Sequence, residues 1–184
     1  MKKSGAIIRR ATRDDVAFVA ECVLASVDLY DFKEESIEKD IAELVCGRED
    51  TLYSYRNAEI AVLDGVPAGC LVSYDGASYL EARRLTFKYF RDAGRSMDES
   101  EMETGPGEYY LDSMAVKPEF RGLGIGLELL WNAVRRAQEE GFERITLLVS
   151  KDKPELRKYY SRLGFIPKTD IYAFGESFLK MSHE

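Results

Sequence analysis

Apolar positions along the chain switch between a strand-like and a helical period. "AIIRR" is a short β-rich run that predicts a strand. In "TRDDVAFVAECVLASV" the residues Val16, Val19, Ala20, Val23, Leu24 and Val27 recur on one helical face, with Thr12 placed to cap the helix start. Ile37, Ile41, Leu44 and Val45 repeat that spacing in "EESIEKDIAELV", a second helix. "AEIAVLDGVPAGCLVSY" predicts a hairpin, two β-rich runs joined through Asp64-Gly65. "GEYYLDSMAV" is the next strand, and "LELLWNAVRRAQEEG" a helix with Leu127, Leu130, Trp131, Val134 and Ala137 as its apolar stripe and Gly141 as its stop. "RITLLV" is apolar throughout, as a central strand is. A short helix follows with Pro154 in its first turn and a stop at Gly164, and "FIPKTDIYAFGESFLKM" supplies the closing strands.

The order β, α, α, β, β, β, α, β, α, β, β predicts a mixed α/β sheet with helices on its faces. No internal repeat or linker divides the chain, so residues 1–184 read as one domain. The segment Tyr79 to Glu108 departs from the regular alternation and predicts a helix followed by an acidic, Gly/Pro-containing loop, an insertion over 79–108. Arg84, Lys88, Arg91 and Arg95 stack along one face of that helix. Two readings fit them: a solvated face balanced by Asp98, Glu99, Glu101 and Glu103, or a substrate lid with Tyr89 and Phe90 as its apolar contacts.

Charge and composition narrow the chemistry. With 26 Lys and Arg against 33 Asp and Glu, the net charge of −7 argues against a nucleic-acid or anionic-membrane surface and suits a cationic or amine substrate. Cys22, Cys46 and Cys70 are odd in number and lack a C-x-x-C pair, which predicts buried thiols in a reducing compartment with neither a disulfide framework nor a zinc site. The N-terminal residues hold no apolar stretch of signal-peptide length and nothing approaches a membrane span, so a cytoplasmic protein is expected. The one histidine, His183, lies next to the last residue, where a frayed tail is expected. Histidine-based nucleophilic and metal sites therefore have no centre, no metal is expected, and proton transfer falls to carboxylates, tyrosines, water or backbone groups.

Three glycines sit in five residues at "RGLGIG", Arg121 to Gly126, between an apolar strand and an amphipathic helix. A Walker loop needs G-K-[ST] at its end and a dinucleotide fingerprint a third glycine at fixed spacing, and neither is present. R-x-x-G-x-G at a helix start suits a pyrophosphate, because glycines admit an anion close to the backbone and the first helical amides point at it. The same glycines could instead serve tight packing of the helix start.

"MAVKPEFRGLGIG" and "YYSRLGF", about 40 residues apart, together make the chain resemble the GNAT superfamily of N-acetyltransferases. The resemblance is densest from Tyr109 to Phe165 and implies an α/β fold with a mixed, mostly antiparallel central sheet flanked by helices and splayed at an acetyl-CoA site. It implies that the backbone of Arg121, Gly122, Leu123, Gly124, Ile125 and Gly126 binds the pyrophosphate of acetyl-CoA, the co-substrate. The backbone of Met114, Ala115 and Val116 would bind the pantetheine arm and thioester. Lys153 stands where the family usually has asparagine, a cation able to reach a coenzyme A phosphate. Tyr160 takes the position of the family's general acid, against the alternative of a ring packed on the sheet, and Tyr159 the position of a leucine. The family's strand-borne glutamates correspond here to Tyr110 and Leu148, so the base must be another group. Asp112, placed by strand alternation on the same face as Tyr110 and Met114, is the first candidate, and Glu108 the second. Asp112 could equally be a structural hydrogen-bond acceptor.

The reading is then of an N-acetyltransferase that moves an acetyl group directly to a primary amine of a small molecule or peptide, in a ternary complex. The alternatives are a non-catalytic acyl-CoA-binding or regulatory module of the same fold, and a nucleotide-phosphate binder. A homodimer is expected from the resemblance, and neither nucleic acid nor membrane is an expected partner.

Overall fold

The computed structural model describes residues 4–27, 37–95, 102–173 and 175–184. Thr12 opens the first helical segment as its sequence predicts. Its backbone amide and hydroxyl both donate to Asp15, at 2.7 and 2.9 Å, forming a capping box over a 3₁₀ turn. Arg9 of the first strand, β1 (Ile7–Arg10), clasps the same carboxylate at 2.7 and 2.8 Å. The helices α1 (Val16–Ser26) and α2 (Ile37–Cys46) follow. Residues 34–36 of the expected second helix lie outside the described residues. Of the expected stripes, Val27 and Leu44 are exposed, because α1 ends at Ser26 and α2 turns Ile41, Ala42, Val45 and Cys46 inward.

The hairpin β2 (Ala58–Leu63) and β3 (Val66–Asp75) turns at Asp64-Gly65, both at positive φ (51° and 80°), the backbone of a two-residue turn that follows strand twist. Then come α3 (Tyr79–Asp92), β4 (Tyr109–Val116), α4 (Ile125–Glu139), β5 (Ile145–Ser150), α5 (Pro154–Arg162), β6 (Ile166–Ala173) and β7 (Glu176–His183). The strands form one seven-stranded sheet in the order β1-β2-β3-β4-β5-β7-β6. Every neighbouring pair is antiparallel except β4 and β5. No described helix is long and apolar enough to cross a membrane.

Two apolar clusters flank the sheet. On one face α1, α2 and the start of α3 pack on β2, β3 and β4 through residues such as Phe18, Val23, Ile60, Val72 and Tyr79. On the other, α4 and α5 pack on the sheet through Leu129, Leu130, Ile145, Leu147, Phe165 and Met181. The α4 stripe is rotated from the expected one: Ile125, Leu129, Ala133 and Ala137 form its deepest line, Leu127 is half-buried and Trp131 is 38 % exposed. Helix α4 starts at Ile125 rather than Leu127, so the first apolar residue of the face lies earlier than the apolar run suggests. The far end of α4 is pinned by Arg136, which pairs with the buried Glu59 of β2 at 3.3 Å and donates to Ser73 and Tyr109.

His183 is not in a frayed tail. It is the last residue of β7, paired with Ile145, and its ring lies 5.5 Å from Trp131 and 5.3 Å from Phe165. The exposed side of Trp131 explains this anchoring, since the ring closes over the end of β7.

Candidate active site

The parallel pair β4–β5 is the weak seam of the sheet. It is held at Tyr109–Ile145 and Tyr110–Thr146 only, while β4 stays paired to β3 as far as Val116 and β5 to β7 as far as Ser150. Beyond Tyr110 the β5-facing edge of β4 therefore has no ladder partner, and its amides and carbonyls are open to a ligand. A β-bulge opposite Val72 and Ser73 falls at this place, with Leu111 facing Ser73 and Ser113 facing Val72. Bulges bend and twist the strand that carries them, which accounts for the departure of β4 from β5.

The bulge also overturns one expectation. Asp112, Tyr110 and Met114 do not share a face: Tyr110 packs in the α1–α3 cluster, Met114 against the α4–α5 cluster. The extra residue at Asp112 shifts the alternation by one, so Asp112 stays with Tyr110 and is held by Tyr74 of that cluster, while Met114 and Val116 cross to the other face.

The glycine loop abuts the same strand end. Gly122 and Gly124 have φ of 79° and 88°, and Gly124 is the N-cap of α4 in the left-handed region. The first helical bond of α4 runs from the Glu128 amide to the Gly124 carbonyl at 3.1 Å, so the amides ahead of Glu128 have no acceptor within the helix. Arg121 works inside the loop: its Nε donates to the Val116 carbonyl at 3.0 Å and its amide to the Pro118 carbonyl at 3.2 Å. At Gly126 a Cβ would lie 3.6 Å from the Val116 side chain and 3.9 Å from that of Met114. Open strand edge, helix amides and glycines thus form one continuous site whose donors are backbone N–H groups, and that donor set fits the amide-bearing arm and pyrophosphate of coenzyme A. Lys153 stands at the cap of α5, on the turn after β5, with its side chain exposed.

Tyr160, on α5, lies on the α4–α5 face. Its ring packs 5.7 Å from Phe165 and 5.3 Å from Tyr159, and among the described residues its hydroxyl has no hydrogen-bond partner. Burial, with the neighbouring Tyr159 adding to it, pushes its phenol up to about 12. The ring packing and the acid role are therefore compatible: the ring is fixed and the O–H remains a donor.

Asp112 lies across the sheet from it. Tyr74 donates to one carboxylate oxygen, and the Ser113 hydroxyl to the other at 2.8 Å. Burial, reinforced by the charge of Glu103, raises its carboxyl to about 7 despite those two hydrogen bonds. Glu108 is differently placed. Burial pushes its carboxyl up, but Lys180, at 2.5 Å, and Thr104, at 2.9 Å, outweigh that and hold it below the usual range. A carboxylate tied to a lysine is a poor proton acceptor, which leaves Asp112 as the better base.

The chemistry-bearing residue missed in the sequence is Glu103. The expectation grouped it with a solvated acidic run, whose Asp98, Glu99 and Glu101 lie outside the described residues. Instead its carboxylate accepts from Tyr79 at 2.9 Å and Tyr110 at 2.8 Å. Among the described residues, Arg84 pairs with Glu81, Lys88 with Asp92 and Arg95, just past α3, with Glu38. Tyr89, one of the expected lid contacts, lies under the Arg48 guanidinium at 4.2 Å. A groove of about 500 Å³ lies at the end of β5, lined by Val149, Ser150, Lys151, Arg157, Asp170 and Leu179 among others.

The sheet is thus split between two parallel strands, and the start of α4 lies against the open end of β4. The chain belongs to the acetyltransferase (GNAT) family, whose model matches residues 24–165. It is an acyltransferase, of a family that uses acetyl-CoA. It is similar to a crystal structure of an acetyltransferase at 28% identity, covering 97% of this chain and 98% of that one, with a TM-score of 0.78. It also resembles in fold an N-acetyltransferase from Staphylococcus aureus Mu50, at 21% identity over 96% and 100% of the two chains, TM-score 0.80. A third fold relative is the NatC complex bound to Gag peptide and CoA, at 17% identity over 97% of each chain, TM-score 0.58. A search of curated proteins returned no match.

Proposed function

We propose that the protein is an N-acetyltransferase that transfers acetyl directly from acetyl-CoA to a primary amine, with Asp112 as general base and Tyr160 as general acid. The observation that carries this is their placement on opposite faces of the sheet, with the β4–β5 seam between them. Acetyl-CoA supplies an acetyl group activated as a thioester. The amides from Gly122 to Gly126 and the open edge of β4 at Met114, Ala115 and Val116 bind and orient it, with Lys153 as a further cation toward its phosphates. A β4 amide donating to the thioester carbonyl favours the negative charge that develops there. Asp112 takes the proton that the ammonium form of the acceptor must lose before it can attack. The Tyr160 hydroxyl gives its proton to the departing sulfur. No covalent enzyme intermediate is needed: Cys22, Cys46 and Cys70 are all buried, at 2 % exposure or less.

An amine library followed by free-thiol release tests this reading. Wild type is expected to release thiol in stoichiometric step with acetylated amine, and both Asp112→Asn and Tyr160→Phe to lose most of that rate while still binding acetyl-CoA. Binding without acetylation of any amine, or full activity in both variants, would refute it.

A further inference from the structure

Two carboxylates from different parts of the chain meet on the α1–α3 side of the seam. Asp112 comes from β4, and Glu103 from the segment 102–108 that joins the insertion to β4. That segment is fixed on the sheet: Thr104 is buried and donates to Glu108, Glu108 pairs with Lys180, and the Gly76 amide donates to the Glu108 carbonyl at 2.8 Å. The approach is so close that a Cβ at Gly76 would lie 2.2 Å from the Gly105 carbonyl oxygen.

The surroundings of the pair are phenolic. Tyr79 and Tyr110, 0 % and 2 % exposed, donate to Glu103. Tyr74, with its ring 6.4 Å from that of Tyr79 and 5.7 Å from that of Tyr110, donates to Asp112. Tyr53, ahead of β2, is half-buried against the same cluster, where the charges of both carboxylates act on its phenol. Ser113 completes the shell, and Arg83 of α3, the cation beside Tyr79, stacks 4.6 Å from the Phe87 ring. The negative charge of Glu103, held in this shell beside Asp112, opposes ionisation of the Asp112 carboxyl.

We propose that Glu103 is a positioning residue for the base: the insertion carries its charge to Asp112, and that charge keeps Asp112 a strong enough proton acceptor to deprotonate an ammonium substrate. This rests on reading Asp112 as the base. The phenols of Tyr79 and Tyr110 fix the Glu103 carboxylate in place, and Tyr74 fixes Asp112, so the coupling does not depend on solvent-exposed side chains.

The test reads Asp112 twice, by carbon-13 NMR titration of its carboxyl in the free protein and by the pH profile of kcat/KM. In Glu103→Gln the charge is gone, so the Asp112 midpoint is expected to fall by about one pH unit and the acid limb of the profile to fall with it. Above that limb the weaker base lowers kcat by about 3- to 10-fold with the KM for acetyl-CoA unchanged. Glu103→Asp, which restores the charge, should return the limb to near its wild-type position. Glu103→Met fills the same space without charge and must move the midpoint in the same sense as Gln, which covers a Gln variant that folds poorly. An Asp112 midpoint that stays put in both neutral variants overturns the proposal while leaving the base assignment standing. A midpoint that falls while the acid limb does not move shows instead that Asp112 is not the base.

Discussion

As the proposed acid and base, Tyr160 and Asp112 both depend on burial, which raises the phenol of one and the carboxyl of the other. A phenol held near 12 stays protonated through any working pH, so it remains a donor and adds no basic limb to the rate profile below about pH 11. Tyr160→Phe keeps the ring against Phe165, and kcat should drop about 10²-fold or more with acetyl-CoA affinity preserved, as steady-state and binding measurements would show. For Asp112 the sign runs the other way. Its folded value, about 7, lies above the unfolded carboxylate value, so the folded state holds an extra proton between about pH 4 and 7 and loses stability as pH rises through that window. Asp112→Asn should therefore melt higher than wild type at pH 8 while losing most of its activity. A variant that melts lower there would make Asp112 a structural acceptor for Tyr74 and Ser113. "YYSRLGF" pointed to Tyr160 and strand alternation in "YYLDSMAV" to Asp112 as the candidates whose roles these variants test. The role of Glu103 could not be read in this way, because its partners Tyr79 and Tyr110 lie 24 and 7 residues away and only folding brings them to it.

The elements show why some boundaries were legible and one was not. Caps and turns are local: Thr12 with Asp15, Asp64-Gly65, Pro154 and Gly164 all act where their sequence places them. The capping network makes a pH-dependent contribution of its own. Arg9, chiefly by hydrogen bonding, draws the Asp15 carboxyl down to about 2, so its stabilisation is complete above about pH 4 and is lost as pH falls toward 2. Arg9 is partly exposed, and after screening Asp15→Asn should cost about 1–2 kcal/mol at neutral pH in urea unfolding, with the difference vanishing near pH 2. The β4 bulge was not legible, because it is a property of register between two strands rather than of either one. Alternation along "YYLDSMAV" places Met114 with Asp112; pairing with β3 separates them. At the start of α4, Gly124 occupies a conformation that costs an ordinary residue about 1–2 kcal/mol. Gly124→Ala should therefore turn the first amides of α4 away from a phosphate and raise the KM for acetyl-CoA by about tenfold or more, with kcat at saturation less affected.

At the scale of the molecule, the proposed mechanism depends on the seam between β4 and β5. An uninterrupted sheet would separate a residue on its α1–α3 face from one on its α4–α5 face. In the proposed mechanism the split lets a donor lie between Asp112 on one side and Tyr160 on the other. The order of strands and helices was legible from periodicity, and the glycine loop supplied the candidate donor site. The seam itself entered only through the family resemblance, since nothing in "GEYYLDSMAV" or "RITLLV" says that two β-rich runs will part after two pairs. The anchored segment 102–108 adds a second carboxylate, Glu103, on the α1–α3 side of the sheet.

Backbone hydrogen exchange with and without saturating acetyl-CoA tests the placement of the donor most directly. Slowed exchange is predicted at Gly122 to Gly126 and along Met114 to Val116, with β1, β2 and the distal half of β7 unchanged. Protection confined to the groove at Lys151 and Arg157, or no protection at either segment under saturation, would contradict the assignment of the seam as the active site.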